Sequence, residues 1–126
     1  MMDSARMDLT GRLMADMDPS LLEFLQSTID SFVKWDLIRF FHENPYTTDT
    51  ADNIARYTGR SAEAIRNDLA ALAKSDVLDE EQLGDMTVYS LTRDTSTREL
   101  LAKFAAASDD RQFRVKAIYH IIRGAH

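Results

Sequence analysis

The chain has 126 residues, 44% apolar and 29% charged, which is ordinary for one globular domain with its own hydrophobic core. It contains no cysteine and no apolar run near the ~20 residues of a membrane span, which excludes disulfides and cysteine-ligated zinc and predicts a cytoplasmic protein with no membrane contact. The net charge of −6 argues mildly against nucleic-acid binding, since nucleic-acid-binding proteins usually present a basic face.

The first region spans residues 1–17 and is interpreted as an N-terminal arm. Its residues Leu9, Leu13 and Met17 repeat every four positions, which favours a helix that packs on a partner. Disorder is the alternative interpretation of this region.

The core is predicted to span residues 18–92 and to begin with a long helical run. Asp18-Pro19 is typical of a helix start, because aspartate caps the helix and proline suits its first position. Apolar residues then recur at spacings of three and four as far as Phe41, and Asp30-Ser31 either divides this run into two helices or bends it. Asn44-Pro45 ends the run, because the residue before proline disfavours helix. Aromatic residues in the run are expected in the core, and an effector pocket is the less favoured role (Trp35, Phe40 and Phe41).

Two shorter helices are predicted next. Thr50 is a suitable cap for a helix over 51–57, and Gly59 is suited to the positive φ that ends it. Ser61 is a suitable cap for a helix that runs to Lys74 or Ser75, with Glu63 in its first turn.

A β-hairpin is predicted near residues 77–91. Val77 and Leu78 open its first strand, residues 79–85 contain the turn, and 86–91 alternate as the return strand. The segment 76–92 contains five acidic residues and no basic one.

Residues 93–126 are predicted to form two C-terminal helices that serve in packing or dimerisation. Ser96 and Glu99 match a capping box for the first, and Asp109 or Asp110 caps the second. The second helix has a basic side and an apolar side, which favours dimerisation over a plain core helix, with a nucleic-acid contact as the third alternative.

The segment 51–91 resembles the winged helix-turn-helix of small regulators similar to the MarR and ArsR families. Ala55, Gly59 and Ile65 follow the Ala-x3-Gly-x5-Ile spacing of such motifs, and the hairpin follows directly. Thr58 and Asp68 depart from the pattern, since both positions are usually apolar. The expected fold is therefore mainly α (α+β), a winged helix-turn-helix with a two-stranded hairpin wing and additional N- and C-terminal helices.

The resemblance implies a homodimeric, cytoplasmic transcriptional regulator that reads duplex DNA with helix 61–74. Arg66 suits guanine, Asn67 suits adenine, and Glu63 can accept a hydrogen bond from cytosine. The remaining predicted DNA-binding residues would contact phosphates (Thr50, Arg60, Ser61 and Lys74). The alternative is that these residues are only the solvated side of an amphipathic helix.

The acidic wing complicates DNA binding, because phosphate attraction supplies most of the affinity and each carboxylate opposes it. Asp79, Glu80, Glu81 and Asp85 lie in and beside the predicted turn. The second hypothesis is therefore a protein-interaction module that uses the acidic wing to bind a basic partner and does not bind DNA.

No enzymatic chemistry is expected. The three histidines lack metal-binding spacing, the four glycines form no phosphate-binding loop, and no nucleophile has a recognisable context. No catalytic residue, metal site or cofactor is predicted.

Overall fold

The computed structural model describes residues 17–124, and within them the chain is mainly helical with one small antiparallel sheet. In chain order the elements are α1 (Pro19–Thr28), α2 (Phe32–Glu43), β1 (Thr48–Thr50), α3 (Ala51–Thr58), α4 (Ala62–Lys74), β2 (Leu78–Leu83), β3 (Met86–Leu91), α5 (Thr95–Ala107) and α6 (Arg111–Gly124). The α+β class is as predicted. The arm predicted over residues 1–17 lies outside the described residues, except for Met17.

The sheet has three strands in the order β1-β3-β2, so the predicted two-stranded sheet is wrong by one strand. The additional strand, β1, pairs antiparallel with β3, with Thr48 opposite Ser90 and Thr50 opposite Val88. A strand of three polar residues is too short to show apolar alternation, which explains why the sequence pattern missed it.

The hairpin lies where it was predicted, but its first strand is longer and its turn is shorter, and that strand begins at Leu78 and not at Val77. β2 continues to Leu83, which lies opposite Met86, and only Gly84 and Asp85 form the turn. Gly84 has a φ of +64°, a conformation that glycine adopts without a steric penalty. The polar residues of β2 lack the apolar alternation typical of a strand, so the sequence pattern predicts a turn where the structure has a strand.

Polar caps define most of the helix starts. Ser31 Oγ accepts a hydrogen bond from Lys34 N, so residues 30–31 divide the first helical run into two helices. The predicted capping box at Ser96 is wrong, because α5 starts at Thr95, two residues earlier than that box requires. Asp94 caps it instead, and its carboxylate accepts hydrogen bonds from both the amide and the hydroxyl of Thr97. Asp110 caps α6, with Phe113 N at 3.3 Å.

The helical core centres on aromatic rings that join four helices. Phe104 of α5 makes edge-to-face contacts with Phe24 of α1, Trp35 of α2 and Phe113 of α6, with ring centroids 5.6 to 5.8 Å apart. Such pairs add about 0.5–1.5 kcal/mol each beyond the burial of their area. Trp35 and Phe41 are buried in this core, as the favoured interpretation predicted. Phe40 is only partly buried, and its ring stacks on Tyr57 at the edge of a surface groove.

None of the helices within residues 17–124 combines the length and the apolar character that a membrane crossing requires.

Candidate nucleic-acid interface

A tight turn joins α3 to α4. Gly59 lies in the left-handed region at φ +73°, and the amide of Arg60 donates to the Ala55 carbonyl at 2.9 Å. A Cβ added at Gly59 would meet no atom within 4 Å, so glycine is required for its backbone conformation and not for space. This turn fixes the position at which α4 begins.

The inner faces of α3 and α4 hold the two helices together. Ile54 and Ala55 of α3 are buried, as are Ile65 and Leu69 of α4. Ala55 leaves room for α4 to approach, and Ile65 is fully buried beside it, as the motif predicted. The packing therefore leaves only one side of α4 available to a ligand.

The two residues that depart from the motif both form hydrogen bonds. Thr58 Oγ1 donates to the carbonyl of Ile54 at 2.9 Å within its own helix. Asp68 accepts a hydrogen bond from Ser31 Oγ at 3.0 Å, and this bond connects α4 to the start of α2. Each polar group is thus satisfied at a position where an apolar residue is usual.

The outer side of α4 is polar. Glu63, Arg66, Asn67 and Lys74 are exposed, and Ser61 caps the helix through a hydrogen bond from Ala64 N. The predicted base-reading residues therefore lie on one exposed surface. Thr50 and Arg60 are half-buried at its edge, where Thr50 caps α3.

Two of the three predicted cationic contacts already have carboxylate partners. Arg66 forms an ion pair with Asp52 of α3 at 3.1 Å, and Arg60 forms one with Asp36 of α2, with its Nε 2.9 Å from the carboxylate. The Arg60–Asp36 pair is partly buried, whereas the Arg66–Asp52 pair is open to solvent, where such a pair contributes about 0.2–1 kcal/mol. A base edge can therefore replace the Asp52 carboxylate at little cost.

A cleft of about 400 Å³ lies beside Arg66, between the starts of α3 and α4 and the hairpin. It is lined by residues of all these elements (Thr50, Ala51, Asp52, Arg66, Asp85, Met86, Thr87 and Tyr89). Two carboxylates and one guanidinium share this cleft, so its charge does not favour an anion.

Asp49 of β1 connects the sheet to α3. It accepts hydrogen bonds from Asn53 Nδ2 at 2.7 Å, from the Thr50 amide at 2.8 Å and from the Tyr57 hydroxyl at 3.1 Å. These hydrogen bonds, of which the one from Asn53 has the largest effect, hold the pKa of Asp49 below its ordinary value. The hydrogen bond between Tyr57 and Asp49 raises the pKa of the Tyr57 hydroxyl. Asp49 thus positions α3, and sequence reasoning missed it because its strand was missed.

The hairpin is acidic on both of its faces. Glu80 lies opposite Tyr89, on the side that faces the core. Burial of the Tyr89 hydroxyl raises its pKa, and the hydrogen bond to Glu80 raises it further. Asp79 and Glu81 point to the opposite face, because side chains alternate along a strand. Lys74, at the end of α4, shares a groove with these three carboxylates and Asp76, so its charge is offset locally.

One exposed cation near the turn was missed. Arg56 lies on α3, four residues before Arg60, and faces solvent. Its only signal in the sequence is its position on the polar side of a short amphipathic helix.

The chain gives no significant match to family models, to curated proteins or to solved structures.

Proposed function

We propose that this protein is a winged-helix DNA-binding protein that places the exposed face of α4 in the major groove of duplex DNA. The observation that supports the proposal is the order α2, β1, α3, tight turn, α4 and hairpin, with β1 returning to pair with β3. In such an arrangement the second helix of the turn lies across base edges.

The proposed reading surface consists of Glu63, Arg66 and Asn67. Arg66 would leave Asp52 and donate two hydrogen bonds to guanine, Asn67 would pair with adenine, and Glu63 would accept from cytosine N4. Ser61 and Thr50 lie at helix starts, where amide groups favour phosphate oxygens. Arg60 and Lys74 would add phosphate contacts.

The hairpin is proposed to stand away from the phosphates. Five acidic residues between 76 and 85 would repel the DNA backbone, so the contact is confined to α4, the turn and the start of α3. The role that follows is a cytoplasmic, homodimeric transcriptional regulator.

Salt-dependent binding tests the proposal. Fluorescence anisotropy with a mixed-sequence duplex, titrated from about 20 to 200 mM salt, should show affinity that falls with a log–log slope of about −2, because Arg60 and Lys74 would displace counterions from two phosphates. Arg60→Ala and Lys74→Ala should each reduce the slope by about 1. An absence of binding at the lowest salt concentration would contradict the proposal.

Sequence preference tests the reading surface separately. On a site selected from randomised duplexes, R66A/N67A should weaken binding by about 30-fold or more and abolish the preference over random DNA, because it removes two bidentate pairs that contribute about 1–3 kcal/mol each. The matched control is R39A/Q26A, which removes the same groups from exposed positions on α2 and α1. Equal losses of DNA affinity in the two variants would mean that α4 is not the DNA-binding surface.

The second candidate function is a protein-interaction module, which the exposed carboxylates of β2 favour. A basic partner would pair with them, chiefly raising the association rate and the selectivity. Reversal by E80K/E81K should then weaken capture of that partner, and unchanged capture would count against this function.

A further inference from the structure

The hairpin presents one face that is both acidic and apolar. Residues directly opposite one another in a sheet share a face, and alternate residues along a strand share it too. Asp79, Glu81 and Leu83 of β2 therefore lie on one side with Met86 and Val88 of β3. Val88 is buried, and we call the four exposed residues, Asp79, Glu81, Leu83 and Met86, the hairpin outer face. Leu83 is 47% exposed and Met86 is 54% exposed, so the apolar tip is open to solvent.

Helix α6 presents an exposed face of similar kind with the opposite charge. Arg111, Val115, Ile118 and Ile122 are spaced by four, three and four residues, which places them on one stripe of the helix. We call these four residues the α6 outer stripe. Its apolar members are 52%, 39% and 55% exposed, while the inner face of the same helix is buried against the core.

The charge of α6 opposes its pairing with the same helix of a second copy. Over Arg111–Gly124 it carries four basic residues and no acidic one (Arg111, Arg114, Lys116 and Arg123). A two-fold contact between these helices would bring like charges together without a carboxylate between them, which disfavours association. The α6 outer stripe is therefore complementary to a surface that is acidic and partly apolar.

We propose that the hairpin outer face of one copy of this chain docks on the α6 outer stripe of a second copy. Asp79 and Glu81 would pair with Arg111 of the stripe and with Arg114 at its edge, while Leu83 and Met86 would cover the exposed aliphatic side chains. The Arg114 guanidinium also donates a hydrogen bond to the Ser108 carbonyl at 3.1 Å, which holds it beside the start of α6. The two surfaces also match in length: four strand steps span roughly 13 Å, and eleven helix steps span roughly 17 Å.

The occupant is a second copy because both halves of the contact are present on one chain. A two-fold arrangement makes the contact twice, closes the assembly and leaves neither surface free. This interface rests on the homodimer of the proposed function and supplies its surfaces. Dimerisation is measured without DNA, so its outcome is distinguishable from that of DNA binding, although Asp79 and Glu81 also line the groove that holds Lys74 of α4.

Charge reversal tests the proposal in the full-length chain. By sedimentation velocity over about 1–300 µM, the wild type should form dimers. D79K/E81K and R111E/R114E should each weaken dimerisation by at least about tenfold, because each places like charges across the contact. E23K/E99K is the control, since it changes the net charge as D79K/E81K does but at exposed positions of α1 and α5.

Mixing the two reversed variants gives the sharpest test. In a mixed pair, the lysines of one hairpin meet the glutamates of the partner's α6, and the native hairpin meets the native helix. Equimolar D79K/E81K and R111E/R114E should therefore form a 1:1 dimer at concentrations at which each variant alone stays mainly monomeric. The combination of all four changes in one chain should restore the homodimer.

Three outcomes would overturn the proposal. A wild type that stays monomeric over the whole range would leave the α6 outer stripe to another occupant. Dimerisation that only R111E/R114E weakens would place α6 against some other surface. Failure of the mixed variants to associate would mean that the hairpin outer face and the α6 outer stripe do not contact each other. Circular dichroism checks that each variant folds, and D79N/E81Q replaces the hairpin variant if it does not.

Discussion

Helices α4 and α6 bury similar apolar stripes. α4 buries Ile65, Leu69 and Leu72 under the sheet and α2, while α6 buries Phe113, Ala117 and Ile121 near the aromatic core. In both helices the buried residues recur at spacings of three or four, which is typical of an amphipathic helix on a globular core. The buried sides of the two helices therefore have the same role, which is to pack an apolar stripe against the core.

Their exposed faces differ in kind. The face of α4 carries polar groups that hydrogen-bond well with water, whereas the α6 outer stripe carries three branched apolar side chains. A polar face is stable in water and has the hydrogen-bonding groups that base edges of DNA require. Each Å² of apolar surface left exposed loses about 25 cal/mol of the stabilisation that burial would provide. The polar face of α4 therefore agrees with the proposed DNA contact, and the apolar stripe of α6 agrees with the proposed protein interface.

Deletion of the buried residues of α4 should have the largest effect on stability. I65A/L69A removes two fully buried side chains, and each truncation should cost about 2–5 kcal/mol through lost burial and the cavity that remains. Urea denaturation followed by circular dichroism measures the loss as a lower midpoint at an unchanged slope.

The matched control is I118A/I122A on α6. It removes aliphatic groups of similar size from the exposed stripe, so it should cost less than about 1 kcal/mol when the protein is dilute enough to be monomeric. If both variants lose the same stability, the distinction between the inner face of α4 and the outer face of α6 is wrong.

Local signals in the sequence were sufficient for most of the fold. Thr50, Gly59 and Ser61 each act through atoms within four residues along the chain, and all three perform the predicted capping role. β1 could not be predicted this way, because its partner β3 lies about forty residues further on. The predicted start of α5 was wrong because Asp94 and Ser96 are both suitable N-cap residues. The structure uses the Asp94 carboxylate as the cap.

The candidate site was predictable only in part. The exposed side of α4 follows from helix periodicity, so Arg66 and Asn67 were placed correctly on the surface. The carboxylate partners Asp52 and Asp36 are 14 and 24 residues from the arginines they contact. No spacing rule connects such pairs, and only the packing of α2 and α3 brings them together.

A glycine comparison sharpens the contrast between the two helices. Gly59→Ala should destabilise the protein by about 1–2 kcal/mol, because alanine at φ +73° brings its Cβ too close to the backbone. Gly124→Ala at the end of α6 should be neutral or slightly stabilising, since that glycine is helical, has free space around it and gains helix propensity as alanine. Thermal denaturation measures both, and a Gly59→Ala protein as stable as the wild type would mean that the turn does not define the start of α4.

The smallest expected effect concerns the exposed face of α4. Asp52→Asn removes the carboxylate that holds Arg66, so DNA binding should become tighter by up to about fivefold, which is the free energy of a surface ion pair. Anisotropy at one fixed salt concentration measures the change.

The control for this prediction is Glu23→Gln, which removes one negative charge from the exposed side of α1. If binding depended on net charge alone, both variants would gain equally, and α4 would have no special place in the interface. A gain confined to Asp52→Asn would mean that release of Arg66 matters. The polar face of α4 would then differ from the α6 outer stripe in function as well as in chemistry.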